Sequence, residues 1–383
     1  MAWYNNSWNY RKAITISSVS ALTGYQVSIT VDTATLVVAS KMRSDCNDIM
    51  FTSSDDSTLL NYWIESGYNT SSTKIWIKIP SISSGSNTIY LYYGNSGAAA
   101  SSSGTNTFIF FEDFLGTSIN GSVWSHISPY GGVTVSNSIL SHTASLNKWS
   151  AWGATGVSKI TPPLILETYA KYVLDQEFYI GVSDYDYAGD IWGYNRVVQG
   201  GYYSSRNANV NSASVTPSAI PTVYTRQTIK IGTSDVKFYL NGVLDATITT
   251  NIPTVAMGAW FAGTQAVYNL FIDWIIIRTY AATEPTLSTI GTEEPNATAH
   301  SMSLTQSETP CRTGICTVRA DITWQNLGSS SITFRPKILI DGTTYVQAAS
   351  DITIGAYPTT SSTIQITTPT LAVGTHSICP YPN

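Results

Sequence analysis

Branched and aromatic residues alternate with polar ones at a period of two along most of the chain, as in RKAITI, YQVSITVD, KIWIKI, NTIYLYYG, TIKIG, VKFYLNG and SITFRPKILIDG. Successive strand side chains point to opposite faces, so this period predicts half-buried strands. Gly, Pro, Asn and Ser punctuate the runs as turns do. Only TATLVVASKM, around residues 33–42, keeps a helical three-four spacing beyond a turn or two. The expected class is therefore all-β, built of antiparallel sandwiches that can leave one sheet face to solvent.

At about 150 residues per domain, 383 residues predict two or three domains. Two compositional breaks divide the chain. The run GNSGAAASSSGTNT, residues 94–107, is small and flexible enough to be a linker. The run EPTLSTIGTEEPNATAH, residues 284–300, reads as a strandless acidic stretch flanked by prolines. Three consecutive β-sandwich domains are expected, over residues 1–97, 98–285 and 298–383.

Charged residues make up 11% of the chain, against roughly a quarter in ordinary domains. With 19 Lys plus Arg, 24 Asp plus Glu and a net charge of −5, no basic field exists to neutralise a phosphate backbone, which excludes nucleic acid as a partner. The hydrophobic share of 43% argues against disorder. The longest apolar run, NLFIDWIIIRTY, carries Asp273 and Arg278 and falls short of the roughly 20 residues of a bilayer span, so no membrane insertion is expected within this chain.

Three of the four cysteines, Cys311, Cys316 and Cys379, cluster toward the end. A C-x4-C spacing without a second pair or nearby histidines fits a disulfide better than zinc, with the pairing among the three open. Cys46 is then expected to be a buried thiol. Asn5, Asn69, Asn120 and Asn296 each open an N-x-S/T triplet. Together these features predict an exported protein, extracellular or at the cell surface, with Met1-Ala2 standing where a signal peptide was removed.

The first segment carries Trp8-Tyr10-Arg11, the Asp45-Cys46-Asp48 turn, Phe51, Trp63-Ile64 and the closing IYLYYGN. Over residues 3–97 it resembles the domain of unknown function 2341, which occurs in large secreted proteins of archaea and bacteria and implies location rather than chemistry. The second opens with FFEDFLGTSINGSVWS and ends with VKFYLNGVLDATITT and YNLFIDWIIIRTY. It resembles the concanavalin A-like jelly roll of lectins, glucanases and laminin G modules. The third, CRTGICTVRADITWQNLGSSSITFRPKILIDGTTY with GTHSICPYPN, resembles immunoglobulin-like adhesion modules of archaeal surface proteins.

The jelly-roll resemblance implies two kinds of site. Glucanases of the class carry catalytic carboxylates in an E-x-D-x-x-E string, absent here; the nearest substitutes are Glu112-Asp113, the Asp184-Asp186-Asp190 cluster, Glu167 and Glu177. A structural calcium ion often joins the first and last strands, which implicates Glu112 or Asp113 together with Asp273. The residues themselves suggest a sugar platform, because pyranose faces stack on aromatic rings. The Gly-rich, polar stretches YDYAGDIWGYN and GGYYSSRNANVN place Tyr185, Tyr187, Trp192, Tyr194, Arg196 and Tyr202 as carbohydrate-binding candidates. The four histidines, His126, His142, His300 and His376, receive no role.

A non-catalytic carbohydrate-binding adhesion protein, with a polysaccharide or cell-surface glycan as partner, is the first functional reading. The alternatives are a polysaccharide hydrolase or lyase built on the central jelly roll, and a self-associating structural subunit of a surface filament, layer or viral fibre.

Overall fold

A computed structural model describes residues 3–144, 148–173, 177–185, 189–196, 202–207, 210–211, 214–263, 270–306, 317–328, 330–372 and 375–381, and strand counts here refer to them. The chain is all-β apart from two short helices among these residues. The helix Thr33–Val38 occupies the one stretch with helical spacing, and Asp32 caps it by accepting from the Thr35 amide at 3.0 Å.

The chain forms two compact units: residues 1–23, 27–103 and 285–383, and residues 24–26 with 104–284. The first contains a five-stranded antiparallel sheet in the order Thr286–Pro295, Tyr10–Ser18, Gly85–Tyr93, Ile49–Ser53, Leu59–Leu60. Its outermost strand lies in the stretch expected to be strandless. It pairs with Tyr10–Ser18 from Tyr10 opposite Pro295 to Ser17 opposite Thr286. An edge strand is paired on one side only and tolerates a polar sequence. Its acidic residues meet cations of the same unit: Glu294 accepts from Arg11 at 2.7 Å, and Glu293 meets Lys41 at 2.5 Å and the Tyr93 hydroxyl at 2.7 Å.

Residues 94–103 are likewise not a free linker. Arg43 donates to the Ala98 carbonyl at 2.9 Å, the Ile64 amide to Ser102 Oγ at 2.9 Å and the Ser103 amide to the Tyr62 carbonyl at 2.8 Å. Cys46 is a buried free thiol and Cys379 an exposed one; Cys311 and Cys316 lie outside the described residues.

The second unit is a sandwich of an eight-stranded and a seven-stranded antiparallel sheet. Leu164, Leu166, Ile229, Ile275 and Ile277 of the first sheet face Ile180, Val182, Ala259 and Phe261 of the second across a shared core. Its ends meet: Phe110–Glu112 pairs with Leu270–Thr279, Phe110 opposite Ile277 and Glu112 opposite Ile275. Asn241 and Gly242, both at positive φ, make the tight turn between Val236–Leu240 and Val243–Ile248.

Candidate functional site

The two faces of the seven-stranded sheet differ in chemistry. One packs into the core; the other carries aromatic residues spaced by glycines. Register sets the rows. Gly153 and Gly181 both lie opposite Trp260, Gly181 lies opposite Trp192, and Trp192 opposite Ser204. In the next row Ala151, Ala262, Tyr179, Tyr194 and Tyr202 follow across the strands. A large ring beside a residue without a side chain has room to lie against the sheet.

Described rings on this face pack together. Trp149 sits 4.8 Å from Tyr179 and 5.9 Å from Trp260, and Tyr179 lies 5.8 Å from Trp260. Tyr179 and Trp260 are buried, forming a floor, while Trp149 and Tyr185 are half-buried above it. Tyr185 sits at φ +70° with its amide donating to Ser183 Oγ at 2.9 Å. Its ring covers Gly153 and Gly258, where an added Cβ would fall 2.4 Å and 2.3 Å from Tyr185 atoms. Its hydroxyl donates to the Ala259 carbonyl at 3.2 Å, and the Lys159 ammonium lies 4.4 Å from the ring centre. Burial pushes its phenol well above the ordinary value. Tyr185 therefore has its polar end engaged and offers ring surface rather than a free hydroxyl.

Of the other expected platform residues, Trp192, Tyr194 and Tyr202 fall on this face by register, and Arg196 lies opposite Glu177. Their backbones are described and their side chains are not; Tyr187 lies outside the described residues. Tyr203, one residue on, faces the core and donates to Asp245 at 2.8 Å. Sequence reading passed over Tyr179 and Trp260. The signal was present in the small-large-small spacing Gly258-Trp260-Ala262.

Among the described residues, the strand positions that carry acids on this face are far apart. Glu177 lies at one end of its strand opposite Arg196, while Asp190 lies opposite Ser183 and Arg206 at the other. The six-residue step from Glu177 to Ser183 spans about 20 Å at roughly 3.3 Å per residue. A glycosidase needs its pair about 5 Å or 6.5–9.5 Å apart. Asp184 is buried, and Asp186 lies outside the described residues. Glu167 belongs to the other sheet, where Arg278 Nε meets it at 2.6 Å and Arg226 at 2.7 Å. Burial alone would raise its pKa, but the two guanidinium groups more than offset this and hold it below the usual carboxylate range.

At the meeting of the sandwich ends, Glu112 accepts from the Phe114 amide at 3.0 Å and from Trp124 Nε1 at 3.2 Å, one bond to each of its oxygens. The Asp113 carboxyl is raised by burial. Asp113 follows directly on Phe110–Glu112 and Asp273 lies in the strand that it pairs with; among the described residues no three His, Cys, Asp or Glu side chains converge to hold a metal ion.

Two histidines meet where sequence gave no hint. His126 Nε2 and His142 Nε2 lie 3.3 Å and 3.2 Å from Ser150 Oγ. Ser150 belongs to the seven-stranded sheet and His142 to the eight-stranded one, so the contact ties the sheets together. His126 also stacks on Trp152 at 4.2 Å.

The model of the domain of unknown function 2341 matches residues 45–127, beginning and ending later than the resemblance at 3–97. A search of curated proteins found no match. Among solved structures, one from a study of endo-acting O-glycanases of the human gut microbiota is 11% identical, covering 45% of this chain and 100% of its own, with a TM-score of 0.37. The endo-β-1,3-glucanase of Pyrococcus furiosus is 11% identical over 46% of this chain and 95% of its own, TM-score 0.35. The laminarinase catalytic domain of Thermotoga petrophila is 10% identical over 45% and 97%, TM-score 0.33.

Proposed function

We propose that the aromatic face of the seven-stranded sheet binds a polysaccharide without cleaving it, in an exported or cell-surface protein. One observation carries the reading: the described rings Trp149, Tyr179, Tyr185 and Trp260 gather on one face of the seven-stranded sheet beside Gly153, Gly181 and Gly258, while the strand positions of Glu177 and Asp190 on that face lie about 20 Å apart. Rings with small neighbours offer flat apolar surface to a pyranose. By register, Glu177 pairs with Arg196 at one end of the face and Asp190 with Arg206 at the other.

A glycan array combined with a reducing-sugar release assay on the same polysaccharides tests this. Binding without release is expected. Release of reducing ends from any bound polysaccharide would overturn the non-catalytic part, and absence of binding across the array would overturn the reading entirely.

A further inference from the structure

The four N-x-S/T triplets are alike in sequence and unlike in structure. N-glycosylation requires Asn Nδ2 as nucleophile, so the fate of that atom separates them. At Asn5 and Asn120 the side-chain oxygen accepts from the amide two residues on, Ser7 at 2.9 Å and Ser122 at 3.0 Å, and among the described residues no hydrogen bond engages Nδ2. Asn69 sits at φ +54° in the turn between Tyr62–Ser66 and Thr73–Ile82, and its side chain makes no hydrogen bond among the described residues. All three asparagines are exposed, as are the hydroxyl residues Ser7, Ser71 and Ser122 of their triplets. Asn296 is the reverse case. It is 2% exposed, and its Nδ2 donates to the Trp8 carbonyl at 2.8 Å. Its amide donates to the Asn9 carbonyl at 2.8 Å and its carbonyl accepts from Leu327 at 3.1 Å. A glycan there would break a buried hydrogen bond and displace packed backbone.

We propose that Asn5, Asn69 and Asn120 are N-glycan acceptor sites and that Asn296 is closed to modification. In the transfer, Nδ2 bonds to the anomeric carbon of a glycan carried on a polyprenyl phosphate. The bond from that carbon to the phosphate oxygen breaks, the lipid phosphate leaves, and the amide gives up one proton. None of the three sites lies on a strand of the aromatic sheet face.

The full chain, secreted from a yeast host behind a signal peptide, is purified and its glycopeptides are mapped by mass spectrometry. Glycan is expected on the peptides containing Asn5, Asn69 and Asn120 and not on that containing Asn296. Asn5→Gln, Asn69→Gln and Asn120→Gln should each remove one glycan step from the intact mass. Bare asparagine at two or more of these three sites, or glycan on Asn296 in secreted folded protein, would overturn the assignment. The experiment reads acceptor competence directly, so a failure to bind polysaccharide leaves its result unaffected.

Discussion

Glu167→Gln removes one negative charge from a buried cluster while keeping its shape. Glu167 is 3% exposed and holds Arg278 at 2.6 Å and Arg226 at 2.7 Å. Removing one partner of a buried ion pair costs about 3–5 kcal/mol, because the remaining charge is stranded. Here neither cation is stranded outright. Arg278 keeps Glu284 at 2.8 Å and the Tyr25 hydroxyl at 3.0 Å, and Arg226 retains the Trp274 ring at 5.0 Å. The expected loss is therefore at the low end, about 3 kcal/mol. At roughly 2–4 °C per kcal/mol for a unit of this size, the melting temperature should fall by about 6–12 °C, read by near-UV circular dichroism at pH 7. The sign with pH follows from the depressed carboxyl. Its contribution is complete above the unfolded glutamate value of about 4.3 and is lost as pH falls through the lower folded value. The gap between wild type and variant should thus narrow in acid. A shift smaller than about 2 °C at pH 7, or a gap that widens below about pH 4, would refute the reasoning.

Trp149→Ala should weaken polysaccharide retention by about 1–3 kcal/mol while the fold persists, whereas Trp260→Ala, in the buried floor, should cost about 3–5 kcal/mol of stability; equal melting losses in both would remove the distinction. Arg11→Lys gives up the fork that reaches Asp56 at 2.8 Å and Glu294 at 2.7 Å, and urea titration should record a loss of about 1–3 kcal/mol. Ser150→Ala leaves two imidazole nitrogens facing an apolar methyl and should cost about 1–3 kcal/mol, checked by the same titration. Burial lowers the His126 pKa, so its contribution to stability is present above pH 6.5 and declines as pH falls; a His126→Phe protein with an unchanged slope between neutral and mildly acid pH would contradict this.

What the sequence revealed follows from the range of each interaction. Period-two runs became strands, the Asn241-Gly242 dipeptide became the hairpin turn, and the run ending in Arg278 met the one beginning at Phe110. These signals are local, or concern elements whose closure a sandwich demands. The ion pairs of Glu167 had no sequence signature because its partners lie 59 and 111 residues away. Residues 286–295 were missed because an edge strand lacks the apolar alternation of a central one, and the pairing of Glu293 and Glu294 with Lys41 and Arg11 has no sequence signature. The aromatic stretch divided by parity: Tyr203 turned to the core, whereas Tyr202 and Trp192 fell on the other face.

The strand Thr286–Pro295 has a consequence for how the protein is made. The first sheet opens with residues at the start of the chain, yet its border strand leaves the ribosome only after the entire sandwich has been synthesised. Until then Tyr10–Ser18 has one unpaired side, and the buried Arg11 lacks Glu294. The central sandwich depends on nothing later than its own last strands apart from residues 24–26, which precede it. Translation therefore favours completion of the inserted unit before the one that encloses it in sequence. A fragment ending between residues 284 and 286, once released from the ribosome, should resist protease in its middle and remain susceptible near its beginning, an order of maturation opposite to the order of synthesis.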